Sequence, residues 1–297
     1  MQIPDLPNII HYAIPFFVLT VIIEVILTVR VKMEQYEYKD ALTSITMGLG
    51  NVFIGLFTKG IILSVFLFIY NFRFFTIPFT WWAWFILLFA EDFVYYWNHR
   101  VGHESRLFWA SHVVHHSSQK YNLATALRQT WSGSFYTFIF WIPLVFIGFH
   151  PVMILMQMSI SLLYQYLIHT ELIDRMPSWF ERIFNTPSHH RVHHATNPQY
   201  LDRNHGGIFI IWDKLFGTFE PESEKPIYGL VSNIDTYNPL KVAFHEWFNM
   251  LRDVFASKTS FLNRFKYFIK PPGWKHDGTG KISNDYRNEW LKTKKES

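Results

Sequence analysis

The stretch DFVYYWNHRVGHESRLFWASHVVHH, Asp92 to His116, decides how this chain is read. It begins inside a long hydrophobic run and ends on a histidine pair, with His99, His103, His112, His115 and His116 along it. The spacings are i, i+4 in the first box and i, i+3, i+4 in the second, which stack side chains on one helix face. A neutral imidazole is a good ligand for first-row transition metals, and each box presents two or more. Working outward, His169 stands alone after another hydrophobic run, and NTPSHHRVHH carries His189, His190, His193 and His194. These clusters lie beside the hydrophobic runs, not within them, which points to metal chemistry at a membrane surface.

Composition narrows the possibilities. Of 297 residues, 49% are hydrophobic and 19% aromatic, concentrated in the first 170 positions. The absence of cysteine excludes disulfides, thiolate metal sites, cysteine-held iron–sulfur clusters and thiolate-ligated haem. Any metal is therefore held mainly by nitrogen or oxygen. The net charge of +4 is explained by Lys/Arg on cytoplasmic loops. No basic helix interleaved with base-stacking aromatics is present, so nucleic acid is not an expected partner.

A helix needs about 20 residues to cross a bilayer. The N-terminal MQIPDLPNII lacks a basic signal region and no small-residue cleavage site follows, so Tyr12–Val29 reads as a retained first span. Glu24 interrupts it, which implies a protein-facing or interfacial position. Leu42–Tyr70 is the second span and Phe75–Trp97 the third, with Trp81, Trp82 and Trp84 as an aromatic belt. Ser134–Gly148 and Val152–Ile168 form the fourth and fifth around the turn at His150–Pro151, or else a re-entrant hairpin. No segment beyond residue 170 is long and apolar enough to span. Arg30, Lys32 and Lys39 in the first loop, Arg73 alone in the second, and Arg100, Arg106, Lys120 and Arg128 in the third fit an outside N-terminus. Every histidine cluster then reaches the cytoplasmic face. Ile208–Phe219 reads as an amphipathic interfacial segment.

The expectation is an all-α integral membrane protein of about four to five transmembrane helices, with a cytoplasmic helical cap holding a histidine-rich di-iron site. It forms one domain over residues 1–297. Residues 1–97 hold three spans, 98–133 two boxes, 134–168 the last spans, 169–270 the cap with the final box, and 271–297 a polar, poorly ordered tail. A bacterial inner membrane and the endoplasmic reticulum fit equally.

The ligand candidates are His99, His103, His112, His115, His116, His169, His189, His190, His193 and His194. They are too many for one ion, since zinc takes about four ligands and octahedral metals about six. Two iron ions (Fe2+) with positions left for dioxygen fit the count. A carboxylate-bridged bundle site would need paired Glu-x-x-His motifs, and none is found. Isolated His11, His150, His245 and His276 read as interface or loop residues, and His205 leans the same way despite following the last box. Asp92 and Tyr95 precede His99 on its helix face, so Asp92 could accept a ligand's other ring N–H; Glu104 could do likewise or handle protons. Asn122, Arg128 and Gln129 are polar residues for a headgroup, a cofactor or the ligands' surroundings. Ser188 reads as the N-cap of the last box's helix.

At these boxes the chain resembles the fatty acid hydroxylase (sterol desaturase) superfamily of membrane di-iron oxidases, over roughly residues 85–275. The matching motifs are His99/His103, His112/His115/His116 and His190/His193/His194, with LLYQYLIHTELI and GGIFIIWDKLFGTFE alongside. Within the superfamily the likeness is greatest to the branch that cleaves ether lipids. That resemblance implies hydroxylation of the carbon next to the ether oxygen of an alkylglycerol, with dioxygen and tetrahydrobiopterin. The alternative readings are a sterol or fatty-acyl hydroxylase or desaturase fed by a separate electron-transfer protein or reductase, and a zinc-dependent membrane hydrolase.

Overall fold

The computed structural model describes residues 9–31, 33–256 and 258–296, with side chains from Ala13 onward. Met1–Asn8, Lys32 and the side chain of His11, on which expectations were placed, lie outside the described residues. Among the described residues the structure is helical, with two isolated bridges, Phe184 to Phe209 and Ala195 to Tyr228, in place of any sheet.

Among the described residues two helices are long and apolar enough to cross a membrane: α1 (Ile9–Arg30) and α2 (Tyr38–Tyr70). Both turn apolar side chains outward, among them Val18 and Ile22 on α1 and Leu49, Phe53, Leu56 and Phe57 on α2. A core helix of a water-soluble fold would bury them. Glu24 faces the protein, accepting from Leu123 N (2.8 Å), from the Thr170 hydroxyl (2.5 Å) and from the Tyr36 hydroxyl. At about 1.5 Å per residue the 33 residues of α2 reach about 50 Å, longer than a bilayer's apolar core of about 30 Å. Its polar first turns extend accordingly. Glu37 caps it by accepting from Lys39 N and Asp40 N, and Asp40 pairs with Arg128 at 2.7 Å.

The third expected span is α3 (Trp81–Glu104), which carries buried Glu91 and Asp92 and runs on through both histidines of its box. The fourth does not form one continuous helix. Gly133–Phe135 and Thr137–Trp141 are 3-10 turns, and α-helical geometry resumes only in a helix over Ile142–Ile147. Pro143 sits at the start of that helix, where its missing N–H costs nothing. The fifth, Pro151–Leu167, starts on a His150 cap with Pro151 in its first turn. These two are shorter apolar helices than α1 and α2. A core of Phe66, Leu87, Trp141, Val145, Met153 and Ile154 joins them to α2 and α3.

In chain order the helices are then α4 (Arg106–His116), α5 (Leu123–Ala126), α6 (Ile142–Ile147), α7 (Pro151–Leu167), α8 (Ser178–Glu181), α9 (Pro187–His193), α10 (Ile211–Phe216), α11 (Pro239–Ala256), α12 (Phe261–Ile269) and α13 (Ser283–Glu296). The segment after α5 lies hard against α2. A Cβ on Gly50 would stand 2.4 Å from the Trp131 ring, and the Trp131 indole donates to Met47 O at 2.9 Å. Of the expected interfacial stretch Ile208–Phe219, Ile208, Phe209 and Ile210 are buried, with Phe209 stacked on Phe89 at 4.7 Å, while Leu215 is exposed. The polar tail contains α13, whose Arg287 guanidinium donates to Leu201 O.

Candidate metal centre

Four elements bring their histidines to one place. In α3, His99 and His103 are one turn apart; α4 ends on His112, His115 and His116. His169 follows α7, and α9 carries His190 and His193 with His194 as its C-cap. The N-cap of α9 is Thr186, with Pro187 in its first turn. Ser188, expected to be that cap, donates to the Glu181 carboxylate at 2.8 Å.

The nitrogens converge in two sets. His99, His103, His112, His116 and His193 form one, and His115, His169, His190 and His194 the other; each set lies within 4.8 Å. Neither is a sequence box. A helix turns about 100° per residue, so i+4 lies about 40° to one side of i and i+3 about 60° to the other, and neighbours i+3 and i+4 diverge by about 100° although all three share a face. His112 and His116 therefore go to the first set and His115 to the second. In the last box His190 and His194 stay together while His193 crosses over. The sets adjoin: His116 stacks on His194 with 4.4 Å between ring centroids.

Within the sets the Nε2 atoms face one another. His112 Nε2 is 3.0 Å from those of His99 and His116, and His169 Nε2 is 3.1 Å from those of His115 and His190. On three rings the opposite nitrogen is committed elsewhere: His99 Nδ1 donates to His205 O (2.8 Å), His169 Nδ1 to Gln165 O (2.6 Å) and His193 Nδ1 to Arg203 O (3.0 Å), whereas the Nδ1 atoms of His115 and His190 make no well-formed hydrogen bond. His103 Nδ1 faces the Asp202 carboxylate at 3.3 Å. A ring that donates from Nδ1 has a bare lone pair at Nε2. Nε2 atoms crowded to about 3 Å, with the protons of His99 and His169 placed on the far side of their rings, fit a shared cation. His103 Nε2 and His193 Nε2 are likewise buried and without a partner. Burial first, then neighbouring imidazoles, holds His99, His112, His116, His169, His190, His193 and His194 well below the usual imidazole range. Burial brings His115 down to about 4. Neutral imidazole is the ligand form. The residues fit a pair of transition-metal ions.

The loop Asp202–Gly207 supplies the carbonyls and carboxylate that orient three of the rings. Asp202 and Asn204 adopt positive φ (53° and 57°), which Asp and Asn tolerate best among residues with a Cβ. Asp213 accepts from His205 N and Gly206 N at 2.7 Å each and from Thr218 at 2.6 Å, which fixes the loop. Sequence reasoning missed this loop; its one signal was the Asp and Asn flanking Arg203 before a Gly pair.

Other expected residues stand apart from the histidine sets. His189 belongs to neither set; its ring lies edge-on to Phe219 at 5.4 Å, by a small surface cleft. Asp92 accepts from Ile208 N, Phe209 N and the Trp212 indole, and from no histidine. Glu104 is exposed and pairs with Arg100. Asn122 caps α5, Arg128 is buried on Asp40, and Gln129 donates to Ala126 O. His205, read as a bystander, lies inside the polar core against the first set.

A cavity of about 940 Å³ reaches His103, His116, His193 and His194. Its walls come largely from apolar residues of α4 (Trp109, Val113) and α11 (Leu240, Phe244, Phe248), with Leu230, Val231 and Ile234 between them and Arg106 and Tyr286 adding polar groups.

Residues 84–218 match the fatty acid hydroxylase family. The chain is 41% identical to human alkylglycerol monooxygenase over 280 residues, covering 93% of this chain and 62% of that protein. It is 37% identical to the Xenopus tropicalis alkylglycerol monooxygenase over 282 residues, covering 94% and 62%. An ornithine lipid hydroxylase of Rhizobium tropici is 29% identical over 133 residues, 44% of this chain and 40% of that protein. The chain thus spans about 62% of the length of the alkylglycerol monooxygenases it matches. No solved structure matches it.

Proposed function

We propose that this chain, whose residues 84–218 match the fatty acid hydroxylase family and which is similar to alkylglycerol monooxygenases, is a membrane-bound non-haem di-iron monooxygenase that hydroxylates a lipid C–H bond. The observation that carries the reading is the pair of adjoining sets of bare imidazole nitrogens inside that domain. One iron would be held by His99, His103, His112, His116 and His193, and the other by His115, His169, His190 and His194. When bound, the irons would supply the dioxygen-activating redox chemistry that no side chain here can perform. The substrate we propose is an alkylglycerol ether lipid, oxidised at the carbon next to the ether oxygen, with a reduced pterin as electron donor.

The protein's own part is binding and orientation. Trp109, Val113, Phe244 and Phe248 give the cavity a wall that accepts an alkyl chain and excludes water from its inner end. His103, His116, His193 and His194 mark where a carbon in that cavity meets the metal-binding layer. The Asp202–Gly207 loop holds the rings of His99, His103 and His193 in register. Lys/Arg distribution supports placing this layer on the cytoplasmic side of a multi-pass chain.

The test is lipid analysis of membranes containing the full-length relative or this chain, against the His116→Ala variant, with reduced pterin as donor. Conversion of alkylglycerols to aldehyde and glycerol products by the active form alone is expected. Turnover only with an added electron-transfer protein, on sterols or fatty acyl chains, would replace the substrate and donor proposed.

A further inference from the structure

His205 is fully buried, and neither of its ring nitrogens makes a well-formed hydrogen bond. Buried polar side chains are nearly always satisfied, so a buried imidazole with no well-formed hydrogen bond beyond a contact to the Asp202 backbone calls for a ligand. Its ring lies 5.1 Å from His103 and 5.7 Å from both His99 and His193, centroid to centroid. Ring pairs within the five-histidine set span 4.3 Å (His99 with His193) to 6.3 Å (His112 with His193), so His205 stands at the same spacing. It remains outside the 4.8 Å convergence of the five, and its one backbone neighbour, Asp202, can occupy only one ring nitrogen, which leaves the other free to face them. Its backbone is pinned from behind, where Asp213 accepts His205 N. The cavity touches His103, His116 and His193 but not His205, which therefore approaches from the enclosed side.

We propose that His205 is a sixth nitrogen donor to the ion of the five-histidine set. The proposal rests on the metal reading above. Six imidazoles would fill an octahedral set, whereas four leave positions open. The two ions are then unequal in ligand number, six nitrogens against four. A lone histidine eleven residues after the last box (His205 after His194) carries no sequence signal of this; only the fold of the Asp202–Gly207 loop brings it in.

The experiment loads the full-length chain in detergent with cobalt(II) and compares wild type with His205→Ala and the bulkier, polar His205→Gln. Visible absorption of cobalt(II) intensifies when a six-coordinate ion loses a ligand. The expected result is two ions in the wild type and stronger absorption in both variants. One ion should also be held roughly tenfold or more weakly, with added imidazole returning His205→Ala towards the wild-type spectrum. Variants that bind both ions with unchanged spectrum and affinity would overturn the role of His205 alone. A wild type that takes up neither cobalt nor iron would overturn it together with the metal reading. His205→Gln keeps the test usable should His205→Ala fail to fold.

Discussion

His116 and His194 stack at the seam of the two nitrogen sets, one ring from each. His194→Ala should cost the chain at least one of two bound ions, whereas His189→Ala should keep both, as metal analysis of the purified variants would show. The two differ because His189 belongs to neither nitrogen set and packs its ring on Phe219 instead. The boxes were plain in the sequence, but their partition was not, since contiguity groups His189 with its neighbours while a 100° step per residue separates them. Asp92 shows the limit of helical phase. It shares the face of His99, but seven residues at about 1.5 Å each place it about 10 Å away along the axis, so its carboxylate serves another loop. The orienting group that sequence reasoning did not find is Asp202. Asp202→Ala should weaken metal binding roughly tenfold by freeing the His103 ring, measured by competition with a chelator.

Among the elements, α2 and the α5 segment are joined by a buried ion pair and a close helix–indole contact. Arg128 and Asp40 are both buried at 2.7 Å, so Arg128→Ala leaves a carboxylate without its partner. Removing one side of such a pair costs about 3–5 kcal/mol. Thermal unfolding in detergent should show that loss, with the metal content of the folded fraction unchanged. Gly50→Val should act through sterics at the same seam, because Trp131 already fills the space. The helices α1 and α2 were legible from their hydropathy. The fourth expected span was not, because its aromatic-rich first part takes 3-10 turns and an α-helix begins only at Ile142, with Pro143 in its first turn. Nor was α13, which lacks an apolar stripe and instead places Asp285 in its first turn and Lys294 and Lys295 in its last.

At the scale of the whole molecule, the polar core is a layer of neutral imidazoles, and that sets its response to acid. For His99, His112, His115, His116, His169, His190, His193 and His194 the folded-state values lie below the usual 6.5, with His115 near 4, so the unfolded chain binds more protons in between. Stability from this layer is therefore fully present above about pH 6.5 and lost as the pH falls through the folded values. The metal-free chain should show a melting temperature that drops steadily from pH 7 to pH 5, and a bound cation should hold it up across that range. The fold turns four separate stretches of sequence into one such layer, with a lipid-sized cavity opening on it. Whether that layer holds iron is the centre of the account. Metal analysis of the anaerobically purified full-length chain should find about two iron ions per molecule; about one zinc and no iron would contradict it.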